Sequence, residues 1–432
     1  MKILALNAGS SSQKSRLYEI DASLPKEPPA PLWEADADWT ERQGVAEVKI
    51  KAGQGQQQAL QENVPMDKRE TIIKHMLATL WSGTSRVIEQ PSEIDIVGHR
   101  VVHGGQEYRE STFVTPEVKA AIQRFAVFAP SHNPANLEGI KAVEQVLPHV
   151  PQVAVFDTAF HSHMPLATAV YPGPYAWFEQ GIRRYGFHGI SHEYCARRTA
   201  QLLGRDLESL NLITCHLGNG CSLAAIQHGR SVDTTMGFTP LEGLMMGNRS
   251  GSVDPGILIH LLQHQGYSAD QLDDTLNKAS GLQGISGISS DMRQILKAMG
   301  EGNERAKLAF DMYVHRLRVH IGMMLAALGE LDALVFAAGV GENAAAVRAA
   351  ACEGFGFLKL KLDEQKNAVG TLSETATQSG GLCVNPFASE GVVGSADQDI
   401  ATADSAVRVL VVHTQEDWMI AQECWKLAHR GR

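Results

Sequence analysis

No apolar run in this chain is long enough to span a membrane. Its first residues enter a strand pattern with no charged-then-apolar leader, so a cytoplasmic protein is expected. Cysteine is sparse: Cys195, Cys215, Cys221, Cys352, Cys383 and Cys424 form no CxxC pair and no evenly spaced framework. That pattern leaves no disulfide scaffold and reads as reduced, mostly buried thiols. Positive charge is not in excess either. The net charge of -10 argues against nonspecific nucleic-acid binding, although a local basic cleft remains compatible with it.

What is present is a globular composition, 44% hydrophobic and 20% charged, over 432 residues. That length exceeds one ordinary core, so two domains are expected. Twice, an apolar strand runs through a small Gly/Ser/Asn turn into a second strand: KILALNAGSSSQKSRLYEI from Lys2, and LITCHLGNGCSLAAI from Leu212. Successive N–H groups in such turns make concave anion sites, and glycine lets backbone approach a ligand. Two of them, roughly 200 residues apart, suggest a duplicated domain gripping one polyphosphate from both sides. The expected fold is α/β: two duplicated actin-like (ribonuclease H-like) ATPase domains with a cleft between them. Residues 1–155 would form the first, with a terminal helix at about 418–432 packing back on it, and 156–417 the second.

Between the hairpins, residues 21–68 turn polar and irregular, with PKEPPAP and GQGQQQALQ, and read as a surface excursion. A helical pattern follows at 68–89, then a buried strand at 95–105, a helix at 115–128 with Pro116 in its first turn, and a short strand ending at Asp157. After the second hairpin come a long amphipathic helix at about 303–328, the strand ALVFAAG, the turn GVGEN and a helix. A last strand, VRVLVVHT, ends just before Glu416 and Asp417.

From residue 95 on, the strings become specific. GHRVVHGG (98–105), HNPANL (132–137), VFDTAFH (155–161), RRYGFHGISH (183–192), HLGNGCS (216–222), GFTPLEGLMMGNRSG (237–251) and AGVGEN (338–343) occur in this order. With NAGSSS at 7–12 they resemble the acetokinase family over nearly the whole chain, residues 21–68 being the weakest part. The resemblance implies reversible, direct in-line phosphoryl transfer between ATP and acetate, giving acetyl phosphate and ADP. It also implies Mg²⁺ or Mn²⁺ as cofactor and a homodimer.

The chemistry of such a transfer can be matched to residues. An acceptor carboxylate is already ionised at pH 7, so the protein must supply positive charge and positioning rather than a base. Arg100 in GHRVVHGG and Arg249 in MGNRSG fit that need, because guanidinium forks hold carboxylate or phosphoryl oxygens in pairs. Either arginine alone would read as a surface ion pair. The resemblance gives His188 contact with the transferring phosphoryl group, and leaves His132 and His216 as supporting polar groups. Asp157 and Glu416 are the carboxylates for the metal and its waters, with Asn7 a further metal ligand; a helix N-cap or a solvated acid is the competing reading for each acid. Asn7, Ser10 and Ser12 in the first turn, and Asn219 and Gly220 in the second, would cradle phosphates, with Lys14 as an additional charge. The segment Asp291, Met292, Arg293 resembles the adenosine contact, Met292 standing where the family often has an aromatic. Gly339, Gly341, Glu342 and Asn343 form a strand-to-helix turn suited to phosphate or ribose. Val102, Phe187 and Pro240 match the apolar acetate pocket. Ser131 replaces a usual leucine, implying a roomier, more polar pocket and comparable use of propionate, unless a neighbouring side chain fills the gap.

Other readings fit less of the chain. His188 and His192 lack the glutamate of a zinc-binding HExxH, and Gly189 interrupts the helix. Gly339-x-Gly341-x-x-Ala344 with Asp363 imitates a dinucleotide fingerprint, but too little chain follows to complete that domain. A sugar kinase would use Asp157 as a base, and an actin-like filament or chaperone ATPase would need no acceptor site; neither explains two arginines.

Overall fold

The computed structural model describes residues 1–9, 12–42, 44–53, 58–65, 68–130, 132–368 and 397–430. It contains two mixed sheets. The first is built from β1 (Lys2–Ala8), β2 (Ser12–Glu19), β3 (Trp33–Arg42), β4 (Val45–Ala52), β5 (Gln58–Pro65), β6 (Ile96–Val101), β7 (Thr112–Phe113) and β8 (Gln152–Phe156), in the order β5-β4-β3-β2-β1-β6-β8-β7. The second contains β9 (Asn211–Leu217), β10 (Cys221–Gln227), β11 (Arg230–Thr234), β12 (Ala333–Ala337), β13 (Gln398–Asp399) and β14 (Arg408–Val411), in the order β11-β10-β9-β12-β14-β13.

Setting aside β4 and β5, the two sheets match strand for strand. β1 and β9 each pair antiparallel with the next strand and parallel with a later one, β6 or β12. β8 and β14 then add parallel, and β7 and β13 close the edges antiparallel. This is the duplicated actin-like α/β architecture expected from the two hairpins. The central strands read as near-continuous apolar runs because both their faces are covered.

Residues 21–68 correct the sequence reading. Rather than an excursion outside the core, they add β3, β4 and β5 to the first sheet. The strands were hidden by alternation: Trp33, Ala35 and Ala37 in WEADADW, and Ala46, Val48 and Ile50 in VAEVKIK, face inward, with acids and lysines between them. One side of these strands is solvated, so half of each sequence is polar. Full burial of Val48 and Ile50 contributes about 1.5–3 kcal/mol each.

Two helices join the halves. The terminal helix Glu416–His429 packs on β1 and β6, where Gly98 leaves no room for a Cβ beside Ile420 and Cys424. The helix Gly189–Leu203 lies against β8 and β9. Ile190, Tyr194, Met419 and Ile420 from these helices share one apolar cluster with Ile3 and Ile96 of the first sheet and Leu212 and Ala333 of the second. On the second sheet, the helix Glu304–Leu328 buries Ala306, Ala309, Tyr313, Leu317, Ile321, Met324 and Leu328, spaced three and four apart. Among the described residues no helix is long and apolar enough to cross a membrane. The five cysteines among them are free and buried, Cys383 lying outside.

Candidate active site

β6 and β8 run parallel, so their C-terminal ends emerge together. Arg100 is the next-to-last residue of β6, and Asp157 follows β8, its N–H donating to the Val101 carbonyl at 2.9 Å. Arg100 Nη2 donates to Asp157 Oδ2 at 2.7 Å. The same oxygen accepts from the His188 backbone N–H at 3.2 Å, and Oδ1 from that of Ile190 at 3.4 Å. Asp157 is therefore both partner to Arg100 and cap to the helix Gly189–Leu203, where a negative charge meets the positive helix end. The chain passes so close that a Cβ on Gly189 would collide with the Asp157 carbonyl oxygen. Burial acts to lower the Arg100 pKa, but the charges of Asp157 and then Glu416 outweigh it and raise it. Its Nε is buried with no partner among the described residues.

His188 precedes this helix in left-handed backbone, at φ 58°. Its ring stacks on that of His216, with centroids 4.1 Å apart. Burial, then His216, Arg100, His192 and Arg249, hold the His188 pKa well below its usual range, so it is neutral at pH 7. The second hairpin turn closes over it. A Cβ on Gly220 would lie 3.4 Å from Arg249 Nη1 and 3.7 Å from His188 Nε2, so glycine keeps that space open. His132 feels both arginines: burial first, then Arg100 and Arg249, push its pKa down to about 4.

Arg249 sits in the loop between β11 and the helix Pro255–His264. Its Nη1 donates to the Pro240 carbonyl at 3.1 Å, and among the described residues no carboxylate lies within ion-pair distance. Burial lowers its pKa. Val102 and Phe187 are buried in one apolar cluster, and half-buried Pro240 meets Arg249. Ser131 lies outside the described residues.

In the first turn, the Gly9 N–H donates to the Ser12 carbonyl at 2.9 Å. Ser10 is outside the described residues. Asn7 Nδ2 donates to Glu416 Oε2 at 3.0 Å, which brings the end of β1 to the first turn of the terminal helix. Lys14 is exposed, and its charge opposes without reversing the upward pKa shifts of His413, raised first by its bond to Glu342, and of Asp417, raised first by burial. In the second turn, the Gly218 N–H donates to the Gly220 carbonyl at 3.1 Å, and the Asn219 carbonyl accepts from Gly247 at 3.0 Å.

Two further segments approach this turn. A Cβ on Gly218 would lie 3.9 Å from Ala338, and one on Gly247 would meet Asn219 and, at 3.1 Å, the Ser290 carbonyl. Gly339 faces open space, Gly341 is buried, and Asn343 donates to the Gly339 carbonyl at 2.9 Å. Glu342 is turned to the scaffold: Oε1 accepts from Ala338 N–H at 2.8 Å, and Oε2 meets His413 Nδ1 at 2.6 Å. Asp291 caps the helix Met292–Gly300 and pairs with Arg293 at 2.6 Å. Met292 is 3% exposed, packed in the second core rather than presented as a stacking surface.

Several contributors are not singled out by the sequence reading. Asn136 Oδ1 accepts from Val102 N–H, and Asn133 Oδ1 from His103 N–H, both at 3.1 Å, so HNPANL clamps the chain leaving β6. The asparagines' spacing, one helical turn, was the available clue. Arg69 donates to the Gly9 carbonyl at 3.0 Å while lying 4.4 Å over the Trp39 ring, linking the added strands to the first turn. Ser191 Oγ joins His216 Nδ1 at 2.7 Å to Thr414 Oγ1 at 3.0 Å.

The acetokinase family model matches residues 2–422. An acetate kinase of Cyanothece sp. is 64% identical over 427 residues, covering 99% of this chain and 98% of that protein. Among solved structures, the acetate kinase of Porphyromonas gingivalis is 38% identical with a TM-score of 0.84, covering 99% of both chains. A propionate kinase of Francisella tularensis is 34% identical with a TM-score of 0.83, covering 98% of this chain and 99% of that one.

Proposed function

The chain belongs to the acetokinase family, a family of carboxylate kinases, and from that premise we propose that it transfers a phosphoryl group directly between ATP and acetate. One observation carries the reading. Arg249 reaches the space between His188 and Gly220 without a carboxylate partner among the described residues, leaving its fork for an anion. Arg100, locked by Asp157, adds a fixed charge that, like that of Arg249, acts on His132 and His188.

An acetate oxygen attacks the terminal phosphorus as the bond to the ADP oxygen breaks, and the arginines offset the charge spread over the phosphoryl oxygens. His188, neutral, serves as a hydrogen-bond donor and not as a cation. The two hairpin turns hold the nucleotide phosphates, with Gly339 and the segment at 289–293 toward the nucleoside. No covalent carrier is called for, because the acceptor carboxylate is itself the nucleophile. Closure of the two domains, 1–155 with the terminal helix and 156–417, keeps water out.

The Asn7 Nδ2 donates to Glu416 Oε2 at 3.0 Å, which keeps the two side chains together with the amide oxygen unused by that contact, and the pair could offer a carboxylate and an amide oxygen to a hard divalent cation. Asp157, whose oxygens already serve Arg100 and two backbone N–H groups, would reach it through water. Magnesium or manganese bound there would neutralise phosphate charge. The enzyme works as a cytoplasmic homodimer in this reading. The helix Pro255–His264 buries none of its residues, and Val253, Ile257, Ile259 and Leu262 are 36–53% exposed, an apolar face suited to a second copy.

Acetate-dependent ADP formation with ATP and Mg²⁺, the product trapped as the acyl hydroxamate, tests the function. Turnover that ignores acetate overturns it. Single-turnover labelling that accumulates phosphoenzyme would rule out direct transfer.

A further inference from the structure

Ser222, on β10, holds two histidines at once. Its Oγ lies 2.8 Å from His188 Nδ1 and 2.8 Å from His192 Nε2. The other nitrogen of His192, Nδ1, lies 2.7 Å from Thr214 Oγ1 on β9. Ser222, His192 and Thr214 are each at most 1% exposed, and burial drives both rings to the neutral form.

A neutral imidazole has one N–H and one lone pair, and a hydroxyl has one proton to give. With no other partner for its Oγ among the described residues, Ser222 is satisfied only by donating to one ring and accepting from the other, because accepting from both would strand its own buried proton; this couples the two tautomers. In one arrangement Thr214 donates to His192 Nδ1, His192 Nε2–H donates to Ser222, and Ser222 donates to His188 Nδ1. His188 then carries its proton on Nε2. In the other, every donor reverses, and His188 Nε2 is left with a bare lone pair.

Thr214 separates the two. In the reversed arrangement it accepts from His192, and its own buried proton has no other partner among the described residues. An unsatisfied buried donor disfavours that arrangement by roughly ten-fold or more. The exposed end matters for function, because Nε2 borders the same space as Arg249 Nη1 over Gly220. A lone pair there would repel a phosphoryl oxygen, whereas an N–H stabilises it.

We propose that Thr214, His192 and Ser222 form a directional hydrogen-bond chain that holds His188 as the Nε2–H tautomer, presenting a donor to the group in transfer. Thr214, His192 and Ser222 are positioning residues; they act through His188. The assignment rests on the reading that the phosphoryl group passes His188, and its test is independent of turnover.

The whole enzyme, labelled with ¹⁵N-histidine, is examined by long-range ¹H–¹⁵N correlation, the His188 signals being identified by their loss in His188→Gln. The expected pattern has Nε2 protonated and Nδ1 bare in both His188 and His192. Thr214→Val removes the group that breaks the tie, so the His188 pattern becomes a mixture. kcat should fall about two-fold as the competent fraction shrinks toward half, with KM for acetate and ATP unchanged. Thr214→Ser should restore both. A proton on His188 Nδ1 in the unmodified enzyme overturns the proposal without needing any variant. So does an unmixed Nε2–H pattern in Thr214→Val. Failure of the functional reading would appear separately, as absent acetate-dependent turnover with the same spectrum.

Discussion

Each half of the molecule sends an arginine to the cleft, and the two are held in opposite ways. Arg100 comes from a parallel strand of the first sheet and is tied at 2.7 Å to Asp157, a carboxylate that is itself 1% exposed and caps a helix. Arg249 comes from a loop of the second half and is held by one carbonyl, that of Pro240. The same charge is thus structural in one place and uncommitted in the other. Breaking a buried ion pair leaves an unpaired charge, whereas removing a half-buried arginine without an ionic partner relieves a desolvation cost. Activity and stability should therefore separate at Arg249 and fall together at the Arg100–Asp157 pair.

The largest expected effect is on turnover. Arg249→Ala should lower kcat/KM by about 10³-fold, within the range for loss of a group that stabilises transition-state charge. Arg249→Lys should recover little, because a point charge does not replace the planar fork. Next comes stability: Asp157→Ala should cost about 3–5 kcal/mol in denaturant unfolding, against under about 0.5 kcal/mol for Arg249→Ala. Equal losses for the two variants would erase the contrast.

A further effect on stability is set by pH. Burial pushes His99, His132 and His161 down to about 4. Their unfolded value is near 6.5, so the unfolded chain binds the extra protons between the two values. Stability should be fully present above about pH 6.5 and decline as the pH falls toward 4. Urea midpoints measured across that window check it, and a flat profile would contradict it. The smallest effect concerns the acyl-chain preference that the sequence ties to Ser131. Ser131→Leu should shift the ratio of kcat/KM for acetate over propionate toward acetate by about ten-fold, since one methylene is worth only about 1–3 kcal/mol in such a site.

Much of this was legible in sequence because it is local. The hairpins, the parallel strands and the glycine turns announce themselves within a dozen residues. What escaped is either half-polar or distant along the chain. β3 and β4 alternate buried Trp33, Val48 and Ile50 with charges, and so read as loop. The tie from Asn7 to Glu416 spans 409 residues, and that from Arg69 to Gly9 spans 60. Asp157 reads in sequence as a metal carboxylate, with a helix cap or a solvated acid as the alternatives. The fold adds what sequence could not, its place between Arg100 and the His188–Ile190 backbone. Met292 is buried because it begins a helix whose inner face joins the second core, a fact no dipeptide encodes.

The account turns on the freedom of Arg249, and one paired measurement tests it directly: acetate-dependent turnover and thermal unfolding on the same preparation of Arg249→Ala. The expected result is a loss of about 10³-fold in kcat/KM with an unchanged Tm. Turnover within about two-fold of the unmodified enzyme, or a Tm lowered as far as in Asp157→Ala, would contradict it.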